Sequence, residues 1–518
     1  MRRRSRLAPA AIAVLCVFTI AAGVTVSGML PRRLALWQPP GIAASALARP
    51  APVLGAPAPV PGPARATAAG VAAAIAPVIS SPVFGSSLGV LVTDLASGRV
   101  LYASNASTGF APASTTKLAT SIAAITALGP TARFTTSVVA GPGARSIVLV
   151  GGGDPTLGAG PPPASDYPQP ATLAELARRT AQALTARGRH SVRLGYDTSL
   201  YTGPALAPGW PASYITTGNV SVITPLEADQ GRVTASGAPA DNDYSNGTRA
   251  ADPAALAAES FARFLAADGI AVRGGPTAAS VPSSASTLAS VQSPPLTQIV
   301  QWMLEESNNV IAENLARHVA IATGRQPSFS GGAAAETAVL RKLGITGELS
   351  LVDGSGLSPD DRIAPATLVQ LIRLAASRPD LRPVLTGLPV EGFSGTLAMG
   401  GSVFGLGRAP GFGVVRAKTG NLSTVAALAG TAYAKNGQLF AFAVMADRIP
   451  TARARRIDAR HDRPGRARGV RCLERPVQPR RIQSLGPGQH QRTLRIRRQR
   501  LVRAGHHGVR ARCDRVRR

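Results

Sequence analysis

The chain has 518 residues and a formal net charge of +29, from 56 Lys and Arg against 27 Asp and Glu. That total alone suggests a binder of nucleic acid or anionic surfaces, yet residues 1–65 carry eight Arg and no acid, residues 451–518 carry 22 Arg and four acids, and residues 66–450 net only +3. The body has no Cys and only His190 and His318, which excludes a thiol nucleophile, a disulfide framework and a Cys-based zinc site, and leaves a Ser-His-Asp triad little to draw on.

In chain order, Arg2, Arg3, Arg4 and Arg6 precede an uncharged apolar run from Leu7 to Leu30, closed by Pro31-Arg32-Arg33. A charged start followed by a stretch long enough to span a bilayer reads as a signal peptide or membrane anchor over residues 1–33. The positive-inside rule then places the residues after 34 outside the cytoplasm, in the cell envelope. Residues 34–79 are a Pro/Ala-rich spacer.

Residues 87–106 show two apolar runs around Ala96-Ser97-Gly98, which predicts a hairpin. A helical period runs next from Leu118 to Leu128, stopped by Gly129-Pro130. The Gly/Pro/Ser-rich stretch from about 145 to 290 holds two helical patterns, 171–187 and 253–268. Helical periodicity returns as one run at 294–323, then at 332–343 and 364–377. Three strands are expected at 414–422, 424–434 and 438–448, the last two joined at Asn436-Gly437.

The lysines point to chemistry. Arg outnumbers Lys by 52 to four, so each Lys is a candidate for a role Arg cannot fill: Lys can be desolvated and act as a base, whereas Arg stays protonated. Lys117 closes Ser114-Thr115-Thr116-Lys117, and Lys418 opens Lys418-Thr419-Gly420; between them lies Ser307-Asn308-Asn309 on a helical stretch. Ser and Lys three apart at a helix start share a face, so the amine reaches the hydroxyl. The helix end favours a developing oxyanion. A Ser and an Asn two apart, on a loop or helix end, can both point into one cleft, and a strand carrying Gly420 lets another backbone approach closely. Each motif alone is weak; a Ser-x-Asn is nearly uninformative, and Lys-Thr-Gly alone could be a strand end with a turn glycine. Their order, and the use of two of only four lysines, give them weight together.

This set resembles the low-molecular-mass, class C penicillin-binding proteins, the D-alanyl-D-alanine carboxypeptidase/endopeptidase group. Further segments similar to that family are GGGDPTL (151–157), SPPLTQIVQWMLEESNNVIAENL (293–315), DGSGLS (353–358), LPVEGFSGTL (388–397) and VRAKTGNL (415–422). The 190 positions between Lys117 and Ser307 also fit a family that inserts extra domains there. The resemblance implies an α/β, β-lactamase-like αβα sandwich with an antiparallel sheet and a large mixed insertion. It divides the chain into a peptidase domain in two parts, 80–145 and 291–459, around an insertion at 146–290.

By the same resemblance Ser114 is the nucleophile and Lys117 the base that takes its proton. Ser307 relays a proton to the leaving amine, Asn309 holds the substrate amide and Lys418 supplies positive potential. Thr419 bonds the terminal carboxylate, Gly420 admits the substrate backbone, and the N–H groups of Ser114 and Asn421 form the oxyanion hole. The implied substrates are peptidoglycan stem peptides, with β-lactams as acylating mimics. No cofactor or metal, no nucleic-acid partner and no particular oligomeric state is implied. Asp154 and Asp353 sit beside glycines and read as turn formers. Glu306 and Glu313 read as solvated or paired, and His190 and His318 as surface or packing residues.

A β-lactamase is the nearest rival, opposed by the long insertion and the lack of an evident deacylating Glu motif. A second is a catalytically impaired penicillin- or muropeptide-binding protein, and a third is a polyanion binder acting through its Arg-rich tail. That tail, residues 460–518, loses helical period and is broken by Pro464, Pro476, Pro479 and Pro487. It reads as an out-of-frame translation following ARARRIDA (452–459), which looks like the opening of a closing helix.

Overall fold

The computed structural model describes residues 65–143, 145–164, 166–233, 248–281, 284–398 and 411–450. The export segment (1–33), most of the spacer and the Arg-rich tail lie outside the described residues. Among the described residues no helix is long and apolar enough to cross a membrane.

The spacer's last part is not extended. Thr67 accepts a hydrogen bond from the Gly70 amide and caps an Ala-rich helix, Ala68–Ile79. The predicted hairpin is present: β1 (Leu88–Asp94) pairs antiparallel with β2 (Val100–Ser104). A short 3-10 turn, Ala113–Thr116, then feeds the helix Lys117–Leu128.

Between Thr135 and Gln292 the chain builds a second sheet. Its strands are β3 (Thr135–Ala140), β4 (Ser146–Val150), β5 (Ser191–Asp197), the two-residue β6 (Ala271–Val272) and β7 (Thr277–Ala278), and β8 (Thr287–Gln292). β4 and β5 are parallel, joined through the helix Leu173–Thr185, whereas β3 pairs antiparallel with β4 and β8. The two helices expected here are Leu173–Thr185 and Pro253–Ala267, and they bury Leu176, Leu184, Phe261 and Leu265 against Val138, Ile147, Leu149 and Leu194. The parallel pairing makes this layer mixed, as expected of the insertion.

The long helical run expected at 294–323 is two helices, Leu296–Glu305 and Asn309–Ala322. The break is a local conformational event: Ser307 sits at φ 58°, in the left-handed region, and the Asn308 side chain accepts from the Ile311 amide to start the second helix. Two more helices come after it, Phe329–Lys342 and Pro365–Ser377, with the small β9 (Leu349–Ser350) and β10 (Arg362–Ile363) pair between them.

The three closing strands appear as β11 (Val415–Leu422), β12 (Val425–Tyr433) and β13 (Leu439–Ala446). With β1 and β2 they form an antiparallel sheet in the order β11-β12-β13-β1-β2, so β11 is an edge strand. One sheet face is mostly alanine (Ala427, Ala429, Ala441, Ala443), which lets the helix Pro365–Ser377 pack closely on it, while Leu118 and Ile122 of the helix Lys117–Leu128 belong to the same core. The helix Asn309–Ala322 lies deeper, and every residue from Val310 to Ala320 is buried.

Candidate active site

Three elements converge on Ser114. It stands in the 3-10 turn, half-buried, just after Ala113, which is held at φ 46°. A non-glycine residue in that region is strained, and strain of this kind is retained where it aims a neighbour. Lys117, one turn on, is fully buried. Its Nζ is 2.9 Å from Ser114 Oγ, 2.6 Å from Asn309 Oδ1 and 2.8 Å from the Ser355 carbonyl.

Burial pushes the Lys117 amine down to about 7, although Asp353, Glu313 and Asp361 pull the other way. As a neutral amine it has two N–H groups and one lone pair. Asn309 Oδ1 and the Ser355 carbonyl can only accept, so they take the two N–H groups, and the lone pair is left to the Ser114 hydroxyl.

The amide of Asn309 is itself oriented: Nδ2 donates to the Asn219 carbonyl at 2.8 Å, which leaves Oδ1 to face Lys117. Ser307 lies on the loop before that helix and lines a small polar cavity of about 70 Å³ with Asn219, Arg232, Arg249 and Asn309. None of the three hydrogen bonds of Lys117 goes to Ser307, so the site groups Ser114, Lys117 and Asn309 directly and Ser307 alongside them.

The edge strand supplies the third wall. The Ala417 N–H bonds to the Pro389 carbonyl and the Val415 carbonyl receives the Glu391 N–H, so the odd-numbered residues turn their backbone groups away from β12. By strand alternation Thr419 and Asn421 do the same, and among the described residues their amides meet no backbone partner on that edge. Gly420 permits the approach: a Cβ there would lie 2.7 Å from the Pro112 carbonyl oxygen and 3.2 Å from the Ser114 nitrogen. β11 thus passes directly beside the backbone at Ser114.

Lys418 is fully buried and donates to the Thr419 carbonyl at 3.1 Å; burial, and then the charge of Lys117, push its amine well down. The two amines are linked, since a neutral Lys117 removes the repulsion that presses on Lys418. The Thr419 hydroxyl is 2.8 Å from that of Thr396.

Residues outside the three motifs hold this arrangement. Glu313 accepts the Ser355 amide at 2.8 Å and the Gly354 amide at 3.2 Å, which fixes the carbonyl that Lys117 uses. Of the two readings, solvated or paired, Glu313 is paired: it is fully buried and sits 3.7 Å from Arg317, and burial raises its carboxyl to about 7. Asp353 is the turn former expected, accepting from the amides of Gly356 (2.6 Å) and Ser358 (2.7 Å) and from Trp210 Nε1 (2.8 Å). Asp154 closes a turn through Thr156, and His318 is a packing residue stacked on Phe134.

Burial also raises Glu336 well above the carboxylate range. The Thr120 hydroxyl lies between that carboxyl group, at 3.2 Å, and the Gly354 carbonyl, which accepts from it at 2.6 Å. Asn219, Gln230 and Arg249 carried no local sequence signal, and only their contacts reveal them, whereas Thr396 lies in the LPVEGFSGTL segment. A cavity of about 1040 Å³ lined by Arg65, Asp94, Arg373 and Gln438 shares no residue with this site.

The D-Ala-D-Ala carboxypeptidase 3 (S13) family matches residues 71–246 and 236–464. A carboxypeptidase of Mycobacterium tuberculosis is 37% identical over 74% of this chain and 81% of its own length. The carboxypeptidase DacB of Mycolicibacterium smegmatis is 36% identical over 75% and 82%. Among solved structures, penicillin binding protein 4 of Haemophilus influenzae superposes with a TM-score of 0.58 at 24% identity, covering 71% of this chain and 91% of that one, and it shares the α/β fold. On the extent of the family match and these relatives, the chain belongs to the D-Ala-D-Ala carboxypeptidase 3 (S13) family.

Proposed function

We propose that the chain is a penicillin-sensitive serine D,D-peptidase acting outside the cytoplasm on peptidoglycan stem peptides or their D,D-cross-links. The observation that carries this reading is the disposition of Lys117. Two obligate acceptors consume the N–H groups of its neutral form, burial lowers its pKa to about 7 so that this form is well populated near neutral pH, and its remaining lone pair meets the Ser114 hydroxyl.

In the reaction Ser114 Oγ attacks the carbonyl between two D-alanines as Lys117 accepts its proton. The N–H groups of Ser114 and Asn421 receive the oxyanion. Thr419 holds the terminal carboxylate, with Lys418 behind it as the source of positive potential, and the substrate backbone runs along the free edge at Gly420. Asn309 keeps one amide hydrogen for the substrate. Ser307 passes a proton to the leaving D-alanine amine. Water then cleaves the acyl-enzyme, and a β-lactam acylates the same hydroxyl in place of the peptide. The relatives named as carboxypeptidases support this reading.

D-alanine release from a soluble peptide ending in D-Ala-D-Ala tests it. The wild-type chain should release D-alanine and Ser114→Ala should not; release by the variant at the wild-type rate would overturn the assignment.

A further inference from the structure

Among the described residues, five non-glycine positions have left-handed backbone: Asn105, Ala113, Asp229, Gln230 and Ser307. Ala113 precedes the nucleophile and Ser307 belongs to the second motif. Asp229 and Gln230, at φ 49° and 56°, belong to neither; they form a short turn after the second layer's loops. Left-handed non-glycine residues cost energy and persist where the surroundings demand them, so this turn calls for a reason.

Gln230 is 2% exposed, and its Oε1 receives the Asn308 side-chain amide at 2.8 Å. That bond fixes the Gln230 amide, and its Nε2 is left buried without a partner among the described residues, a second cost borne at the same residue. One guanidinium ties the turn to the loop that holds Asn309: Arg249 donates through Nη1 to the Gln230 carbonyl at 3.1 Å and through Nη2 to the Gly218 carbonyl at 3.0 Å. The next carbonyl, that of Asn219, is the one that receives Asn309 Nδ2.

We propose that Gln230 and Arg249 are positioning residues for catalysis, a clamp from the second layer that fixes Asn308 and Asn309 so that Asn309 Oδ1 faces Lys117. The chain of contacts runs from Arg249 to the 218–219 backbone, to the Asn309 amide, to the Lys117 amine and so to Ser114. Reversal of the Asn309 amide would set its Oδ1 against the Asn219 carbonyl and turn its Nδ2 toward the Lys117 amine. The inference rests on the proposed active site and adds that the insertion, besides shaping the cleft, holds the base.

The test compares acylation by a fluorescent penicillin in the wild-type chain, Ser114→Ala, Gln230→Gly and Arg249→Lys, with melting temperatures measured alongside. Glycine takes a left-handed turn without strain, so Gln230→Gly removes the clamp without forcing the backbone. The expected result is a melting temperature no lower than wild type and an acylation rate lower by about tenfold, as for a small misplacement of a reacting group. With peptide substrate the loss falls on kcat and leaves KM little changed. Arg249→Lys, able to reach one carbonyl at a time, should lose acylation to a lesser degree. Wild-type acylation in Gln230→Gly, or a loss no larger than its loss of folded protein, would overturn the clamp while leaving the Ser114 assignment intact. An unlabelled wild type, or a labelled Ser114→Ala, would overturn that assignment and the clamp with it.

Discussion

The Lys117 amine and the Asn309 side-chain oxygen meet at 2.6 Å, although 192 positions separate them in the chain. This contact joins the first and second motifs and decides which way the base faces. Because Asn309 Oδ1 and the Ser355 carbonyl occupy two sides of the amine, proton uptake from Ser114 is the one direction left to it.

Lys117→Arg should abolish that uptake, since a guanidinium remains protonated throughout the accessible pH range. A loss of about 10²–10⁴-fold in acylation is expected, the usual contribution of a general base. On the proposed mechanism the active form is the neutral amine, whose fraction grows as pH rises through about 7. Acylation rates measured from pH 5 to 9 should therefore rise along a limb centred near 7. A limb near 10, where an exposed lysine titrates, would contradict the burial argument. The same shift bears on stability: the unfolded chain holds the Lys117 proton above pH 7 and the folded one does not, so this residue makes the fold gain stability as pH rises from 7 toward 10.

Gly420→Ala should separate β11 from the nucleophile. The added methyl meets the Pro112 carbonyl at 2.7 Å and the Ser114 amide at 3.2 Å, and neither backbone group is free to swing away. Overpacking of this kind costs about 1–3 kcal/mol. Acylation should fall by about tenfold or more as the two oxyanion donors move apart. Denaturant unfolding and penicillin labelling of the same preparation check both parts.

Glu313 should prove structural first and catalytic only through Lys117. Glu313→Ala strands the buried Arg317 guanidinium and two loop amides, at a cost of about 3–5 kcal/mol. Glu313→Gln keeps an acceptor for the Ser355 amide and should lose less stability while retaining measurable acylation. Equal destabilisation by the two variants in urea unfolding would show that the Gly354 and Ser355 amides do not depend on this side chain.

Much of this fold is legible in the sequence, for physical reasons. The β1–β2 hairpin, the helices Lys117–Leu128 and Pro365–Ser377, and the three closing strands each carry their period within a dozen residues, and their burial follows it. Ser114, Lys117, Asn309 and Lys418 are marked by residue type and order. The break at Ser307 is not legible, because the apolar period continues across it and the interruption is made by one left-handed residue. Strands β3, β4, β5 and β8 escape a sequence reading although they are as long as β1 and β2; β4, β5 and β8 lie in the Gly/Pro/Ser-rich stretch, and β4 and β5 pair in parallel through an intervening helix. Asn219 and Gln230 reach the second motif across 90 and 78 positions, and Glu313 is buried on a helix covered from all sides, so neither relation leaves a local pattern.

The most direct test of Ser114 as the nucleophile is to trap the covalent intermediate and locate it. The wild-type chain, quenched during reaction with benzylpenicillin and digested, should carry the penicilloyl mass on the peptide containing Ser114, and Ser114→Ala should carry none. A penicilloyl group on any other residue of the wild type, or an undiminished adduct in the variant, would contradict it.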